Sequence, residues 1–260
     1  MSASLKSVAT PTARGRVSKE EWDARVDLAA AYQLAAIFKW TDLIYTHFSA
    51  RVPGTGDILI NPYGLMFDEI TASSLVKIDM DGNVLDDQTG MGINHAGFVI
   101  HGCVHQARPE INCVLHTHTR AGVAVSAQKC GLLPLSQHAM RVQAEVTYHE
   151  YEGVALEMDE RERMVSDLGK TSKAMILRNH GLLTLGETVR EAFELMWYLD
   201  CACQIQVDAL AGGMENALLM SERAAQSAAA QLQRPNRPAQ TKDWPALLRL
   251  LDRKGSNYRD

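Results

Sequence analysis

Three histidines that follow two apolar runs constrain this chain more than any other feature. Cys113–His118 ends in two histidines separated by one residue, and His180 follows the apolar run Ala174–Leu177. Side chains on a strand alternate between faces, so His116 and His118 are predicted to share a face. Two strand ends that bring three imidazoles together would form a metal site with an open fourth position, as in catalytic centres. The alternative is that His180 only caps its strand.

Composition and charge exclude several classes of partner. The chain has 260 residues and a net charge of -5, which is not the basic footprint that nucleic acid or an anionic membrane attracts. No apolar stretch reaches the roughly 18 residues of a membrane-spanning helix, and the N-terminus has no apolar signal core. The five cysteines form no CxxC motif, which is typical of reduced thiols. We therefore predict a cytoplasmic protein without nucleic-acid or membrane partners.

The spacing of apolar residues predicts interspersed helices and strands. Helices are predicted over 22–40, 94–108, 119–128, 159–168 and 188–210. Strands are predicted over 45–52, 57–60, 75–80, 84–86, 113–118, 174–177 and 182–185, with another inside 142–151. Turn signals such as those at 53–56 and 81–83 join several neighbouring strands directly. These patterns predict an α/β fold, a three-layer α/β/α sandwich with a mixed, mostly antiparallel central sheet.

Three segments are predicted along the chain. Residues 1–17 lack periodicity and are predicted to be a flexible N-terminal arm. The main domain covers 18–213 and starts where Ser18 and Glu21 have the spacing of a capping box. Residues 214–260 contain two helical patterns and form a C-terminal tail. We expect this tail to lie outside the main core and to pack on the domain or on a neighbouring subunit.

The remaining histidines have structural interpretations that compete with functional ones. His101 and His105 are four residues apart on a predicted helix, a spacing that can bind zinc. No glutamate follows His101, so we interpret the pair as helix packing. His95, His138 and His149 occur singly, and each alone is more typical of a structural residue than of a catalytic one.

Three motifs in combination make the chain resemble the class II aldolase/adducin family. They are His116–His118, Arg108–Glu110 and Arg178–Gly181. Stretches at 61–65, 70–77 and 129–134 make the chain more similar to the adducin head domain than to sugar-phosphate aldolases. The resemblance covers about 18–213 and implies an α/β/α fold, a homotetramer and sites near subunit boundaries. It also implies a divalent metal on His116, His118 and His180, with zinc favoured and manganese or iron as alternatives.

The sequence departs from the family's aldolases at the residues that the resemblance implies for catalysis. Those enzymes carry a Ser-Ser-Glu motif before a helical histidine, and its glutamate acts as acid/base and metal ligand. Counted back from His101, this chain has His95, Ala96 and Gly97 instead. The carboxylate is missing, so His95 and His47 are the candidates for an acid/base role.

The phosphate pocket of the family's aldolases is also altered. Thr46 and His47 replace a Gly-Asn pair, and Tyr63 replaces a small hydroxyl residue next to the matching Gly64. A phosphate dianion needs several converging amides and hydroxyls, and most of these are replaced. We therefore expect an unphosphorylated substrate, bound by His47, Tyr63, Gly64 and His95.

Three functions are compatible with this pattern. The first is a lyase or isomerase that acts through a metal-stabilised enolate on a small hydroxy-carbonyl compound, by carbon–carbon cleavage, decarboxylation or epimerisation. Each of these reactions needs a proton carrier near the substrate. The second is a non-catalytic oligomeric interaction protein, as the resemblance to the adducin head implies. The third is an iron-dependent oxygenase, although three histidines are not the usual ligand set for that chemistry.

Overall fold

The structure is a computed structural model that describes residues 12–153, 158–232 and 242–260. The strands are β1 His47–Arg51, β2 Ile58–Ile60, β3 Val76–Ile78, β4 Val84–Asp86, β5 Cys113–Thr117, β6 Val146–His149, β7 Ala174–Leu177 and β8 Gly181–Gly186. The α-helices are α1 Lys19–Ile37, α2 His95–Ala107, α3 Arg120–Ser126, α4 Gln137–Val142, α5 Met158–Leu168, α6 Val189–Ala209, α7 Glu222–Leu232 and α8 Asp243–Arg253. Short 3₁₀ turns lie at Phe67–Glu69, Gln143–Glu145, Leu210–Gly212 and Met214–Asn216.

The strands form one sheet in the order β4-β3-β2-β1-β5-β8-β7-β6. Neighbouring strands run antiparallel except β6 and β7, which are parallel. Helices α2 and α5 contact one another on one side of the sheet, and α1, α3 and α6 pack on the other. The predicted α/β/α sandwich with a mixed, mostly antiparallel sheet is confirmed.

The two faces of the sheet bury separate apolar clusters, as the alternation of strand side chains requires. On β5, Cys113 and Leu115 belong to the larger cluster, which includes α1 and α6. Val114 between them belongs to a smaller cluster with residues of α2 and α5. A strand that is apolar on both faces is buried between two helical layers, so the run that ends in His116 lies at the centre of the molecule.

The first helix is capped by Ser18, the residue that the sequence predicts at its start, but it begins before residue 22 and ends before residue 40. Ser18 Oγ accepts a hydrogen bond from the Glu21 N–H at 3.1 Å. The Glu21 carboxylate turns to the buried Arg25 guanidinium, at 2.9 Å, rather than completing a capping box. The helix ends at Ile37 rather than at residue 40, because Lys39 has a left-handed φ of 62°.

Part of the predicted flexible arm is held against the domain. Ala13 is fully buried, and its N–H donates to Ser73 Oγ at 3.0 Å. Residues 1–11 of the arm lie outside the described residues. The sequence pattern also missed α4, a helix of six residues capped by Ser136, whereas the strand predicted inside 142–151 is present as β6.

The C-terminal tail contributes to the main core, contrary to the expectation that it lies outside it. Trp244, Leu251 and Tyr258 are buried in the larger cluster, and α8 packs against α1 of the same chain. The Tyr258 carbonyl accepts a hydrogen bond from the Ala72 N–H at 3.0 Å. These contacts are long-range and leave no local trace in the sequence. The segment boundaries at residues 17 and 213 stay a prediction.

Among the described residues, none of the helices combines the length and the apolar character that crossing a bilayer requires.

Candidate metal centre

The three histidines predicted as ligands come together at one end of β5 and β8. Their ring centres lie 4.7–4.8 Å apart. One potential ligand atom of each lies within 4.8 Å of the others, and no other such group of three His, Cys, Asp or Glu side chains occurs in the described part of the chain. His116 is on β5, His118 lies just beyond its end, and His180 is in the turn before β8. The sequence prediction therefore located this cluster.

The turn that carries His180 depends on two special backbone positions. Asn179 has a φ of 55°, a left-handed conformation that asparagine tolerates better than most residues. A Cβ atom at Gly181 would lie 2.4 Å from the Thr117 carbonyl oxygen. Glycine is thus required where β8 meets β5. The Arg-Asn-His-Gly motif closes the turn and directs His180 towards the other two rings.

Hydrogen bonds determine which nitrogens of two histidines remain available. His116 Nδ1 lies 3.0 Å from the Leu182 carbonyl oxygen, and His118 Nδ1 lies 2.9 Å from Asp42 Oδ2. Both partners only accept, so each Nδ1 carries a hydrogen, which leaves Nε2 as the nitrogen that can offer a lone pair to a metal ion. The two Nε2 atoms are 2.9 Å apart. Two lone pairs at this distance repel unless a cation or a proton is shared between them.

The pKa values of two of the three rings are lowered. Burial, followed by the positive charges that His180 and His118 would carry, lowers the pKa of His116 well below its usual value. Burial and His118 lower the pKa of His180 to about 4. The neutral imidazole is the form that binds metal ions. The donor set therefore fits a divalent metal.

A cleft of about 240 Å³ opens onto the three rings. Its other lining residues are Asp42, Tyr45, Thr46, His47, Asn94, Gly97, Ile100, Tyr151 and Gly153. Of the four predicted substrate-binding residues, the lining includes His47 but not Tyr63, Gly64 or His95. His95 is exposed at the start of α2, and Tyr63 and Gly64 lie beyond β2. This geometry separates the two acid/base candidates in favour of His47.

His47 is a buried imidazole without a hydrogen-bond partner among the described residues. It stands opposite His116 in the pairing of β1 with β5, and its exposed fraction is 4%. Neither ring nitrogen is paired. Burial, with a smaller contribution from His118, lowers the pKa of His47 to about 4. The ring is therefore neutral at pH 7, with a free lone pair next to the three-histidine cluster.

Comparison with known proteins assigns the chain to a family. The family model described as Class II Aldolase and Adducin N-terminal domain matches residues 26–207. The chain belongs to this family. A class 2 aldolase-like protein of Caulobacter vibrioides is 50% identical over 252 residues, which are 96% of this chain and 97% of that one. Alpha-adducin of Rattus norvegicus is 47% identical over 200 residues, which are 75% of this chain but 27% of adducin.

Solved structures of family members have the same fold. An aldolase II superfamily protein from Pseudomonas syringae has a TM-score of 0.92 and 53% identity, and the match covers 95% of this chain and 99% of that one. L-fuculose 1-phosphate aldolase from Glaciozyma antarctica has a TM-score of 0.80 and 28% identity, with 96% of each chain covered.

A second group of buried polar side chains lies behind His47. Ser49 Oγ is 2.7 Å from His101 Nδ1 and 2.8 Å from His105 Nε2, and all three residues are buried. The hydroxyl bridges two imidazoles of this class II aldolase/adducin family member. The two helical histidines, which the sequence indicates as packing residues, thus share one hydrogen-bond partner. Ser49 follows His47 by two residues on β1, so strand periodicity places the two side chains on the same face of the sheet.

Proposed function

We propose that this family member binds one divalent metal through His116, His118 and His180. The supporting observation is the 2.9 Å approach of two Nε2 atoms whose rings are both fixed through Nδ1. Zinc is the first candidate because it is commonly held by three imidazoles with an open position, and manganese or iron are the alternatives. When bound, the metal would supply Lewis-acid stabilisation of an enolate formed from the substrate.

With that metal, the protein acts as a lyase or isomerase on a small hydroxy-carbonyl compound. His47 serves as the proton carrier, because it lines the cleft and its neutral nitrogens have no other partner. His95 is the weaker candidate, since its side chain is exposed outside the cleft lining. The reaction is carbon–carbon cleavage, decarboxylation or epimerisation, which all pass through an enolate.

The substrate is unphosphorylated. Among the described residues, the cleft is lined by no lysine or arginine, and its charged side chain outside the histidines is the Asp42 carboxylate. A phosphate group would therefore meet a carboxylate without a compensating cation from this chain. A homotetramer with sites near subunit boundaries and a cytoplasmic location complete the proposal, both on the family resemblance and the composition.

A second function has an observation in its favour. The 47% identity with alpha-adducin covers 75% of this chain, and the match is as extensive as the family domain itself. A non-catalytic, oligomeric interaction protein is therefore the alternative. It differs from the enzyme in one measurable respect, because it has no need to turn over a substrate at the three histidines.

Metal content and turnover test the proposal together. We expect the purified protein to retain zinc, manganese or iron after extensive dialysis, as measured by elemental analysis. His116→Ala should lose the metal and all turnover, whereas His138→Ala, at a half-buried histidine outside the cleft, should keep both. Unphosphorylated hydroxy-carbonyl compounds should react and phosphorylated sugars should not.

Two results would contradict the proposed enzymatic function. A protein that cannot be loaded with any of the three metals excludes the metal centre. A metal-loaded protein that turns over neither set of compounds favours the non-catalytic interaction protein. Activity on the phosphorylated set alone would instead contradict the unphosphorylated substrate and show that other residues form the phosphate pocket.

A further inference from the structure

Asp42 makes a contact to the three-histidine cluster that no sequence motif indicates. Its Oδ2 lies 2.9 Å from Nδ1 of His118, on the side of the ring away from Nε2. The carboxylate is 46% exposed and lines the cleft. The corresponding nitrogen of His116 faces a neutral carbonyl, that of Leu182, at 3.0 Å. The two histidines at the end of β5 therefore have partners of different charge.

The loop that carries Asp42 has a strained backbone. Lys39, Leu43 and Thr46 have φ values of 62°, 50° and 69°, in the left-handed region that residues other than glycine seldom adopt. For the β-branched Thr46 this conformation is an outlier. Such strain persists only where the surrounding structure imposes it, and it is concentrated at functional sites. Three such residues within eight positions indicate that the surrounding structure imposes the conformation of this loop.

Contacts at both ends of the loop hold it. The Trp40 indole N–H donates to Asp200 Oδ2 on α6 at 2.9 Å, and the Trp40 ring is buried 4.9 Å from that of Phe193. The Tyr45 N–H donates to the Asp42 carbonyl at 2.8 Å, which closes a tight turn before β1. The backbone that carries Asp42 is thus held on both sides, so only its short side chain has to be ordered for the carboxylate to meet His118.

We propose that Asp42 is a positioning residue that acts through His118 and tightens the binding of the divalent metal. The carboxylate keeps the hydrogen on Nδ1, holds the ring at a fixed angle, and makes Nε2 a stronger donor than a carbonyl partner would. The inference rests on the proposed metal site, since a positioning residue has no role without the ligand that it positions.

The experiment measures zinc affinity by chelator competition in the parent protein, Asp42→Ala, Asp42→Asn and His118→Ala. We expect Asp42→Ala to weaken zinc binding about 10–100-fold, the usual effect of losing such a partner. Asp42→Asn should lose less, because its amide oxygen still accepts from Nδ1–H without the charge. The absorption bands of the cobalt-substituted protein should shift in Asp42→Ala, since the orientation of one ligand changes.

Asp68→Asn, at an exposed aspartate in a 3₁₀ turn, is the matched control and should bind zinc like the parent. Equal affinity and unchanged cobalt bands in Asp42→Ala would overturn the inference while leaving the metal site intact. A loss in Asp42→Asn as large as in His118→Ala would also overturn it, because Asp42 would then be a ligand itself. A parent protein that binds neither zinc nor cobalt would instead refute the metal centre. If Asp42→Ala fails to fold, Asp42→Asn alone decides.

Discussion

The imidazole of His47 occupies the space that a side chain at position 97 would need. A Cβ atom on Gly97 would lie 2.2 Å from Cε1 and Nδ1 of the His47 ring. The family's aldolases, as the resemblance implies, carry an acid/base glutamate at this position of the helix. In this chain the ring of His47, at the start of β1, occupies that space. The His47 ring therefore fills the space in which the resemblance would place the carboxylate.

Substituting Gly97 tests this relationship. Gly97→Ala must displace the His47 ring, and we expect a loss of about 1–3 kcal/mol in the free energy of unfolding, as for other overpacked sites. Turnover should fall by more than stability predicts, while zinc content stays unchanged because the three ligands lie elsewhere. Gly212→Ala is the control, since a Cβ atom there meets nothing within 4 Å. Equal turnover in both variants would show that the position of His47 is irrelevant to catalysis.

Removing the hydroxyl of Ser49 tests the buried bridge behind His47. Ser49→Ala leaves His101 and His105 without their shared partner, and both rings are buried. We expect a loss of about 1–3 kcal/mol, the cost of unsatisfied buried polar groups, in urea denaturation. Ser126→Ala removes a buried hydroxyl that donates to the Val123 carbonyl within α3, and it should cost less. Identical midpoints for the two variants would rule out a structural role for the bridge.

The three-histidine cluster is predictable from the sequence because its signals are local. His116 and His118 share a face by strand periodicity, and His180 precedes a glycine that the turn requires. Asp42 was not predictable. Its contact with His118 depends on left-handed backbone at Leu43 and Thr46, which neither residue type favours.

The fold likewise has features with local sequence signals and features that depend on distant contacts. The positions of most strands and helices follow from periodicity and turn residues, whereas the end of α1 depends on Lys39 and the fixed Trp40 indole. The burial of Tyr258 depends on contacts with residues about 190 positions earlier, such as Ala72. Contacts of that range have no periodicity along the chain, so the sequence pattern predicts the tail outside the core.

The stability of the metal-free protein should fall as the pH is lowered, in part because of His105. Burial, followed by Arg51, lowers the pKa of His105 to about 3. In the unfolded chain its pKa is about 6.5, so the unfolded state binds more protons between these values. The free energy of unfolding therefore decreases as the pH falls from 6.5 towards 3, by up to about 1.4 kcal/mol per pH unit for this group.

Urea denaturation between pH 4.5 and 7.5, in the presence of a chelator, measures this slope. His105→Gln should reduce it, because glutamine does not titrate. His95→Gln, at an exposed histidine, should leave the slope of the parent unchanged. The explanation fails if the two variants have the same pH dependence.

The contribution of the C-terminal tail to the core can be measured with one pair of leucines. Leu251 on α8 is fully buried in the larger apolar cluster, whereas Leu218 in the loop before α7 is 90% exposed. Leu251→Ala removes the same atoms as Leu218→Ala but leaves a cavity, so we expect it to cost about 2–5 kcal/mol in the free energy of unfolding. Leu218→Ala should stay within about 0.5 kcal/mol of the parent. If both variants unfold at the parent's urea concentration, α8 is not part of the cooperative core and the tail is a separate, weakly attached segment.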